Sequence, residues 1–250
     1  MKTYAIGDVH GRADLLYALL SFIRRDNESE PAGYRVIFLG DIIDRGPDSL
    51  EAMDLVVEEL ARHSESRLIL GNHEEFLLLF LDRPDKRELV FDHWMRNGGL
   101  AAAASYGLDV SRRFERVEDA HESLLERLTT KPDHVAAMRD AVSIVTDKRH
   151  LFVHAGLRPG VSVGEQNTKD LRTIRKDFLT SDYDFGRVVV HGHTITQSLR
   201  PEVHRHRIAL DTGAERSGRL TAMLVDEGGE GVFLQTVGGA VAEIEPEHFR

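Results

Sequence analysis

The hydrophobic and polar positions in the first third of the chain follow two alternating periods. Short apolar runs predict strands, and each run precedes a stretch whose apolar residues recur every three or four positions, as on one face of an α-helix. Repetition of strand and helix at this interval is typical of βαβ units in a parallel sheet. The predicted strands are Thr3–Ile6, Arg35–Leu39 and Arg67–Leu70, and the predicted helices are Ala13–Arg25, Asp48 to about Arg62, and Glu75–Leu81.

The middle of the chain, residues 82–148, lacks a strand pattern. It is charged, and its apolar residues follow a helical period with a break at Arg96-Asn97-Gly98-Gly99. We therefore predict a helical insertion over residues 82–148, within a single domain that spans residues 1–250.

Strand patterns return after the insertion. Because the last three of these strands are joined by short connections, part of the sheet is predicted to be antiparallel. A glycine-rich turn at 228–231 is expected between the final two strands. The predicted strands are Leu151–Val153, Arg187–Val190, Arg207–Leu210, Leu220–Val225 and Val232–Thr236.

Composition narrows the classes of function. The 250 residues include 32 Lys and Arg against 42 Asp and Glu, a net charge of −10, which disfavours binding to nucleic-acid polymers or anionic membranes. The absence of cysteine excludes disulfides and thiolate nucleophiles, whereas thirteen histidines supply the commonest metal ligand. No signal-peptide pattern or apolar run of membrane-spanning length is present, so we expect a cytoplasmic protein.

Five short polar motifs each follow a predicted strand. Because the carboxyl ends of parallel strands share one edge of a sheet, we expect the motifs to converge in space. Their carboxylate, carboxamide and imidazole groups suit divalent metals, and two cations would offset the repulsion between the carboxylates. Asp41 is placed to bridge the two cations. The motifs are Gly7-Asp8-Val9-His10-Gly11, Gly40-Asp41-Ile42-Ile43-Asp44-Arg45-Gly46, Gly71-Asn72-His73-Glu74, His154-Ala155-Gly156 and His191-Gly192-His193-Thr194.

The ordered motifs GDxHG, GDxxDRG and GNHE resemble the signature of the phosphoprotein phosphatase (PPP) family, within the calcineurin-like metallophosphoesterase superfamily. The segment Trp94–Gly99 is similar to the insertion of bacterial and phage-type serine/threonine protein phosphatases. The resemblance extends from about Thr3 to Val225. It implies an α/β fold, the calcineurin-like metallophosphoesterase fold, in which a central two-layer β-sandwich is flanked by helices.

The resemblance also implies a metal site. Two divalent ions, with Mn²⁺ expected and Fe or Zn as alternatives, would hold a bridging hydroxide that attacks phosphorus directly. The implied ligands are Asp8, His10 and Asp41 for the first ion, and Asp41, Asn72, His154 and His193 for the second.

Four further residues receive roles from the resemblance. His73 would protonate the leaving alkoxide, and Asp44 would orient its imidazole. Arg45 and Arg175 would bind the phosphate oxygens. Many family members carry tryptophan at the position of Thr173. Because of this departure, the motif around Arg175 matches the family's second phosphate-binding arginine less closely.

Two histidines compete for the last metal-ligand position. His191 and His193 flank Gly192, and the Gly-His-Thr context favours His193 as the ligand. We expect His191 to lie behind the metal ligands, and whether it contributes to the site is left open.

The implied activity is metal-dependent hydrolysis of phosphate monoesters. Phosphoserine and phosphothreonine in proteins are the first expectation, because the motifs supply an arginine clamp but no aromatic residue to hold a nucleobase. One alternative is a nucleotide phosphohydrolase, such as a symmetrical diadenosine tetraphosphate hydrolase, and another is a catalytically silent phosphate-binding sensor. The Asp44–His73 pair weighs against the sensor, since binding needs no proton donor. The expected partner is thus a phosphoprotein or small phosphorylated substrate.

Overall fold

The structure, a computed structural model, describes residues 1–111, 114–225 and 231–249. Most of the predicted glycine-rich turn, at residues 228–230, lies outside these ranges. Within them the chain forms strands β1 (Lys2–Ile6), β2 (Tyr34–Phe38), β3 (Arg67–Leu68), β4 (Ile144–Thr146), β5 (His150–Val153), β6 (Val188–His191), β7 (Glu202–Val203), β8 (Arg207–Ala209), β9 (Thr221–Val225), β10 (Gly231–Val237), β11 (Ala240–Ile244) and β12 (Glu247–His248).

The α-helices of the described ranges vary from one turn to fourteen residues. Short 3₁₀ turns lie at Pro84–Lys86 and Val163–Glu165, and a widened turn covers Met95–Gly99. The helices are α1 (Ala13–Asp26), α2 (Ser49–Arg62), α3 (Asn72–Asp82), α4 (Arg87–Trp94), α5 (Leu100–Ser105), α6 (Val117–Leu128), α7 (Pro132–Arg139), α8 (Thr168–Thr173), α9 (Lys176–Leu179) and α10 (Ala214–Ser217).

The strands form two six-stranded sheets. The first has the order β11-β10-β9-β1-β2-β3, with β1, β2 and β3 parallel and β9, β10 and β11 antiparallel to their neighbours. The second has the order β12-β7-β8-β6-β5-β4, in which β5, β6 and β8 are parallel. The predicted antiparallel pairing is correct for β9 with β10. Strand β8 is antiparallel to β7 in the second sheet, because the chain crosses from the second sheet to the first through α10 between β8 and β9.

The two sheets pack face to face. Ala5 and Ile37 of the first sheet share one buried hydrophobic cluster with Phe152 and Val190 of the second. Helices α1, α2 and α3 cover the outer face of the first sheet, and α8 and α9 cover the outer face of the second. The predicted α/β sandwich flanked by helices is therefore confirmed.

The segment between residues 87 and 139 contributes helices α4 to α7. Its buried residues Trp94, Leu124 and Met138 belong to the same hydrophobic cluster as those of α1, α2 and α3. Strand β4 lies in the stretch for which no strand was predicted. It is a three-residue edge strand that is only partly buried, and its two apolar residues are too short a run to predict a strand. No helix in the described part of the chain is long and apolar enough to cross a membrane.

Candidate metal centre

Loops after β1, β2, β5 and β6 meet the N-terminus of α3 at one edge of the sandwich. They form two groups of side chains whose donor atoms all lie within 4.8 Å of one another. Helix α3 begins at Asn72, three residues earlier than predicted, so the third motif lies in its first turn. The groups are His10, Asp41 and His73, and Asp41, His154 and His193.

Asp41 belongs to both groups, and its oxygens face different histidines. Oδ2 lies 3.6 Å from Nε2 of His10 and 3.8 Å from Nε2 of His73, whereas Oδ1 lies 3.4 Å from Nε2 of His154. The buried carboxylate therefore occupies the centre of the cluster. This is the position that a ligand shared by two cations requires.

Two other predicted ligands border the second group. The amide oxygen of Asn72 is 3.2 Å from Nε2 of His154. The carboxylate of Asp8 accepts the backbone N–H of His193 at 3.0 and 3.1 Å, which ties the end of β1 to the loop after β6. His73 rather than Asp8 completes the first group in space.

The histidine rings present the atoms that a metal needs. Nδ1 of His10 is 3.0 Å from the carbonyl oxygen of Ile43, and Nδ1 of His154 is 2.8 Å from that of Leu39. A ring that donates from Nδ1 keeps its Nε2 lone pair for a metal. Nε2 of His193 is buried and has no hydrogen-bond partner in the described ranges. Nε2 of His10 and of His154 instead face Nη1 of Arg45 and the amide oxygen of Asn72. The combination of carboxylate oxygens and imidazole nitrogens fits divalent cations.

Burial and mutual charge perturb the ionisation of the cluster. Burial lowers the pKa of His10 to about 3 and that of His193 to about 2, so both rings are neutral, as metal ligands must be. Burial and the charge of Asp211 raise the pKa of Asp8 well above its usual value. Burial also opposes ionisation of Asp41, but the neighbouring histidines outweigh it and hold that pKa well below its usual value. A cation would relieve the repulsion among these carboxylates.

Beside the cluster, His73 forms a hydrogen-bonded pair with Asp44. Nδ1 of His73 is 2.6 Å from Oδ2 of Asp44, and both side chains are buried. Burial opposes protonation of His73, but the charges of Asp41 and Asp44 outweigh it and raise the pKa of His73. The arrangement can therefore hold a proton on an imidazole that faces the cluster.

Trp94, to which sequence reasoning gave no role in the site, contacts this pair. Its indole Nε1–H donates to both oxygens of Asp44, at 3.0 and 2.9 Å. The hydrogen bonds to His73 and Trp94 counteract the effect of burial, which raises the pKa of Asp44. The helices between residues 87 and 139 thus reach the pair through the last residue of α4.

Arg45 lies between the pair and the cluster. Its Nη1 is 2.7 Å from Nε2 of His10, and its Nη2 is 3.0 Å from Nε2 of His73. Its backbone N–H donates to the carbonyl oxygen of Gly98 in the widened turn. Gly98 has φ 110°, and a Cβ there would come within 2.6 Å of Cγ of Arg45. The break predicted at Arg96-Asn97-Gly98-Gly99 therefore has a structural reason, since the close approach of Arg45 leaves no room for a side chain at Gly98.

Glu74 is a second residue that the sequence did not single out. Its buried carboxylate accepts the backbone N–H groups of Asp41 at 2.8 Å, Ile42 at 2.7 Å, Ile43 at 3.1 Å and Gly71 at 3.2 Å. Burial, reinforced by the charge of Asp41, raises the pKa of Glu74 to about 7. The side chain holds the loop that positions Asp41, and its position in the GNHE motif was the available signal.

The remaining predicted residues, Arg175 and His191, lie outside the two groups. Arg175 is exposed just before α9, close enough to His193 that its charge helps to lower the pKa of that ring. His191 is buried with its ring 5.1 Å from that of Phe178, and its Nε2 lies 3.5 Å from Nη1 of Arg207. Its side chain therefore packs behind the cluster.

The chain is similar in sequence to a known family and to named proteins. A family model described as calcineurin-like phosphoesterase matches residues 1–197. A relative from Anoxybacillus flavithermus, named asymmetrical bis(5′-nucleosyl)-tetraphosphatase PrpE, is 26% identical over 242 residues, 89% of each chain.

Solved structures resemble the fold. A crystal structure proposed to be of a diadenosine tetraphosphatase has a TM-score of 0.56 at 19% identity, over 95% of this chain and 94% of the other. A cold-active protein tyrosine phosphatase has a TM-score of 0.58 at 16% identity, over 98% and 79%. At these identities the likeness concerns the fold alone.

Proposed function

The chain belongs to the calcineurin-like phosphoesterase family, and we propose that it hydrolyses the phosphate chain of dinucleoside polyphosphates. The observation that carries the proposal is the similarity, over 89% of the chain, to a relative named asymmetrical bis(5′-nucleosyl)-tetraphosphatase. The names of the relatives favour the nucleotide alternative over the phosphoserine and phosphothreonine substrates expected first. They also favour off-centre cleavage over the symmetrical cleavage expected for that alternative.

Six residues would hold the two divalent cations, for which we propose Mn²⁺. Bound there, the cations would offset the negative charge of the phosphate chain and lower the pKa of water towards 7. The proposed ligands are Asp8, His10, Asp41, Asn72, His154 and His193, with Asp41 shared.

The protein's own groups would handle the leaving group. We assign the proton donor to His73, because Asp44 fixes its Nδ1 and leaves Nε2 facing the cluster. The charges of Asp41 and Asp44 both stabilise the protonated ring and raise the pKa of His73. Trp94 holds Asp44 in the orientation that this proton transfer needs.

Two arginines would bind the phosphate chain. The side chain of Arg45 is 29% exposed, so its planar guanidinium can meet both the cluster and a substrate. Arg175 is exposed near His193 and would contact phosphates on that side of the cluster.

The test is a comparison of substrates at equal concentration. Purified protein with Mn²⁺ is given diadenosine tetraphosphate or phosphoserine and phosphothreonine peptides, with Asp41→Asn as the inactive control. Off-centre cleavage divides four phosphates into one and three, so AMP and ATP are the expected products, whereas symmetrical cleavage gives ADP alone. At least tenfold higher kcat/KM on phosphopeptides, equivalent to about 1.4 kcal/mol, would return the assignment to a protein phosphatase. Binding without any product would favour the sensor.

A further inference from the structure

Two aromatic rings stand beside the proposed proton donor. Phe76 lies one turn beyond His73 on α3, with ring centroids 6.0 Å apart at an angle of 74°. His93 of α4 also contacts Phe76, with centroids 4.7 Å apart at 69°. We refer to Phe76 and His93 as the aromatic rim.

The rim is partly open to solvent, and Phe76 also packs against the core. Leu77, Phe80 and Leu81 of α3 are buried in the core, whereas Phe76 is only partly buried and His93 is exposed. The rim therefore presents ring surface next to His73 at the junction of α3 and α4. The motifs themselves contain no aromatic residue, which is why the sequence favoured a substrate without a base.

The position of His73 indicates which part of a substrate would reach the rim. A general acid must lie within hydrogen-bonding distance of the oxygen that leaves, so the leaving group extends past His73. His10 contacts the ring of His73 within the cluster, and Phe76 is the aromatic residue of α3 that contacts the same ring. A phosphorylated serine offers only peptide backbone there, whereas a leaving nucleotide offers a planar base.

Two arginines, each paired with a carboxylate, belong to segments that adjoin the rim residues. Arg96, in the widened turn after α4, is highly exposed and pairs loosely with Asp92 at 3.4 Å. Arg172 forms an ion pair with Glu75, the residue that precedes Phe76. A nucleotide needs a ring to stack on and cations near its phosphates, and these arginines would meet the phosphates in exchange for their present carboxylate partners.

We propose that the aromatic rim binds the base of the leaving nucleotide by stacking. The inference rests on the proposed function, since it assigns a subsite to a dinucleoside polyphosphate. Every nucleobase has a π-face, so the rim would accept different bases and contribute to affinity rather than to base selection. Phe76 is the main platform, and His93 supports it from α4.

The test uses two ligands that differ only in the base. Binding of AMP and of ribose 5-phosphate to the Mn²⁺-loaded protein is measured by calorimetry. Stacking on one aromatic ring predicts that AMP binds at least about fivefold more tightly. Phe76→Leu keeps an apolar side chain of similar volume and should abolish that preference, whereas Phe76→Tyr should retain it. Tyr183→Leu is the matched control, because Tyr183 is an exposed aromatic residue packed on Phe185, away from α3.

Each outcome decides the inference. It is overturned if the wild-type protein binds AMP no more tightly than ribose 5-phosphate, or if Phe76→Leu leaves the preference unchanged. If Phe76→Leu does not fold, Phe76→Met provides the second variant, because methionine is apolar and flexible but carries no ring. An unchanged preference for AMP in Phe76→Met then overturns the inference. Calorimetry measures the binding of AMP and ribose 5-phosphate and does not require the protein to hydrolyse a substrate. A lack of diadenosine tetraphosphate hydrolysis would therefore refute the proposed function without obscuring this result.

Discussion

Replacing Glu74 by glutamine should destabilise the protein far more than its small change in shape suggests. Each carboxylate oxygen accepts two backbone N–H groups, from Ile42 and Ile43 on Oε1 and from Asp41 and Gly71 on Oε2. Glutamine keeps one acceptor oxygen and places an NH₂ group against the other two donors. Two buried N–H groups then lose their partner.

The expected loss follows from those two donors. An unsatisfied buried donor costs about 1–3 kcal/mol, so two cost about 2–6 kcal/mol. A domain has a free energy of unfolding of only about 5–15 kcal/mol, so the variant loses a large part of its stability. Because the freed N–H of Asp41 no longer fixes that residue, metal affinity should fall as well.

Urea unfolding with and without Mn²⁺ measures both effects. Glu75→Gln is the matched control, because the next residue of the same helix makes only a partly exposed ion pair with Arg172, a kind worth less than about 1 kcal/mol. The reasoning is refuted if Glu74→Gln unfolds within about 0.5 kcal/mol of this control, a difference typical of ordinary surface substitutions.

Three other predictions concern the site. Asp41→Asn should lose both metals, whereas Asp8→Asn should lose only one; metal analysis by mass spectrometry checks this, and two retained metals in Asp41→Asn would exclude a bridging role. His73→Asn should lower kcat about 10²–10⁴-fold on an alkyl phosphate while the metal content stays unchanged. The loss should be smaller on diadenosine tetraphosphate, because its leaving group is a phosphate and needs less protonation than an alkoxide. An equal loss on both would remove His73 from the acid role. Trp94→Phe removes the indole donor to Asp44 and should lower kcat more for alkyl than for aryl phosphates, as steady-state kinetics can show; an equal effect would make Trp94 only a packing residue.

The sequence predicted the central strands because each carries its own local signal. Strands β1, β2, β5 and β6 are apolar and almost fully buried, and each precedes a polar motif. The peripheral strands lack that signal. Strand β11 is largely exposed although four of its five residues are apolar, and β7 has only two residues, so both depend on pairing with a neighbouring strand.

The same distinction applies to the site. The predicted ligands stand in motifs whose chemistry is visible residue by residue. The contact of Trp94 with Asp44 joins residues 50 positions apart, and that of Phe76 with His93 depends on how α3 packs against α4. Such contacts arise from tertiary packing, so a pattern along the chain could indicate tryptophan and phenylalanine only as core residues.

Contacts between residues far apart in the sequence also hold the backbone of the site in strained conformations. Six non-glycine residues of the described ranges have a positive φ; they are His10, Asp41, Asp44, Arg45, His193 and Leu199. Five of the six stand in the motifs, and each such conformation costs of order 1–3 kcal/mol. The N–H of Asp41 donates to Glu74, 33 residues away, and that of His193 donates to Asp8, 185 residues away. These hydrogen bonds offset the strain, since the bent backbone would otherwise relax and turn the side chains away from the cluster. A variant that removes only one of these hydrogen bonds would therefore keep every proposed ligand residue and still lose the arrangement that binds the metals.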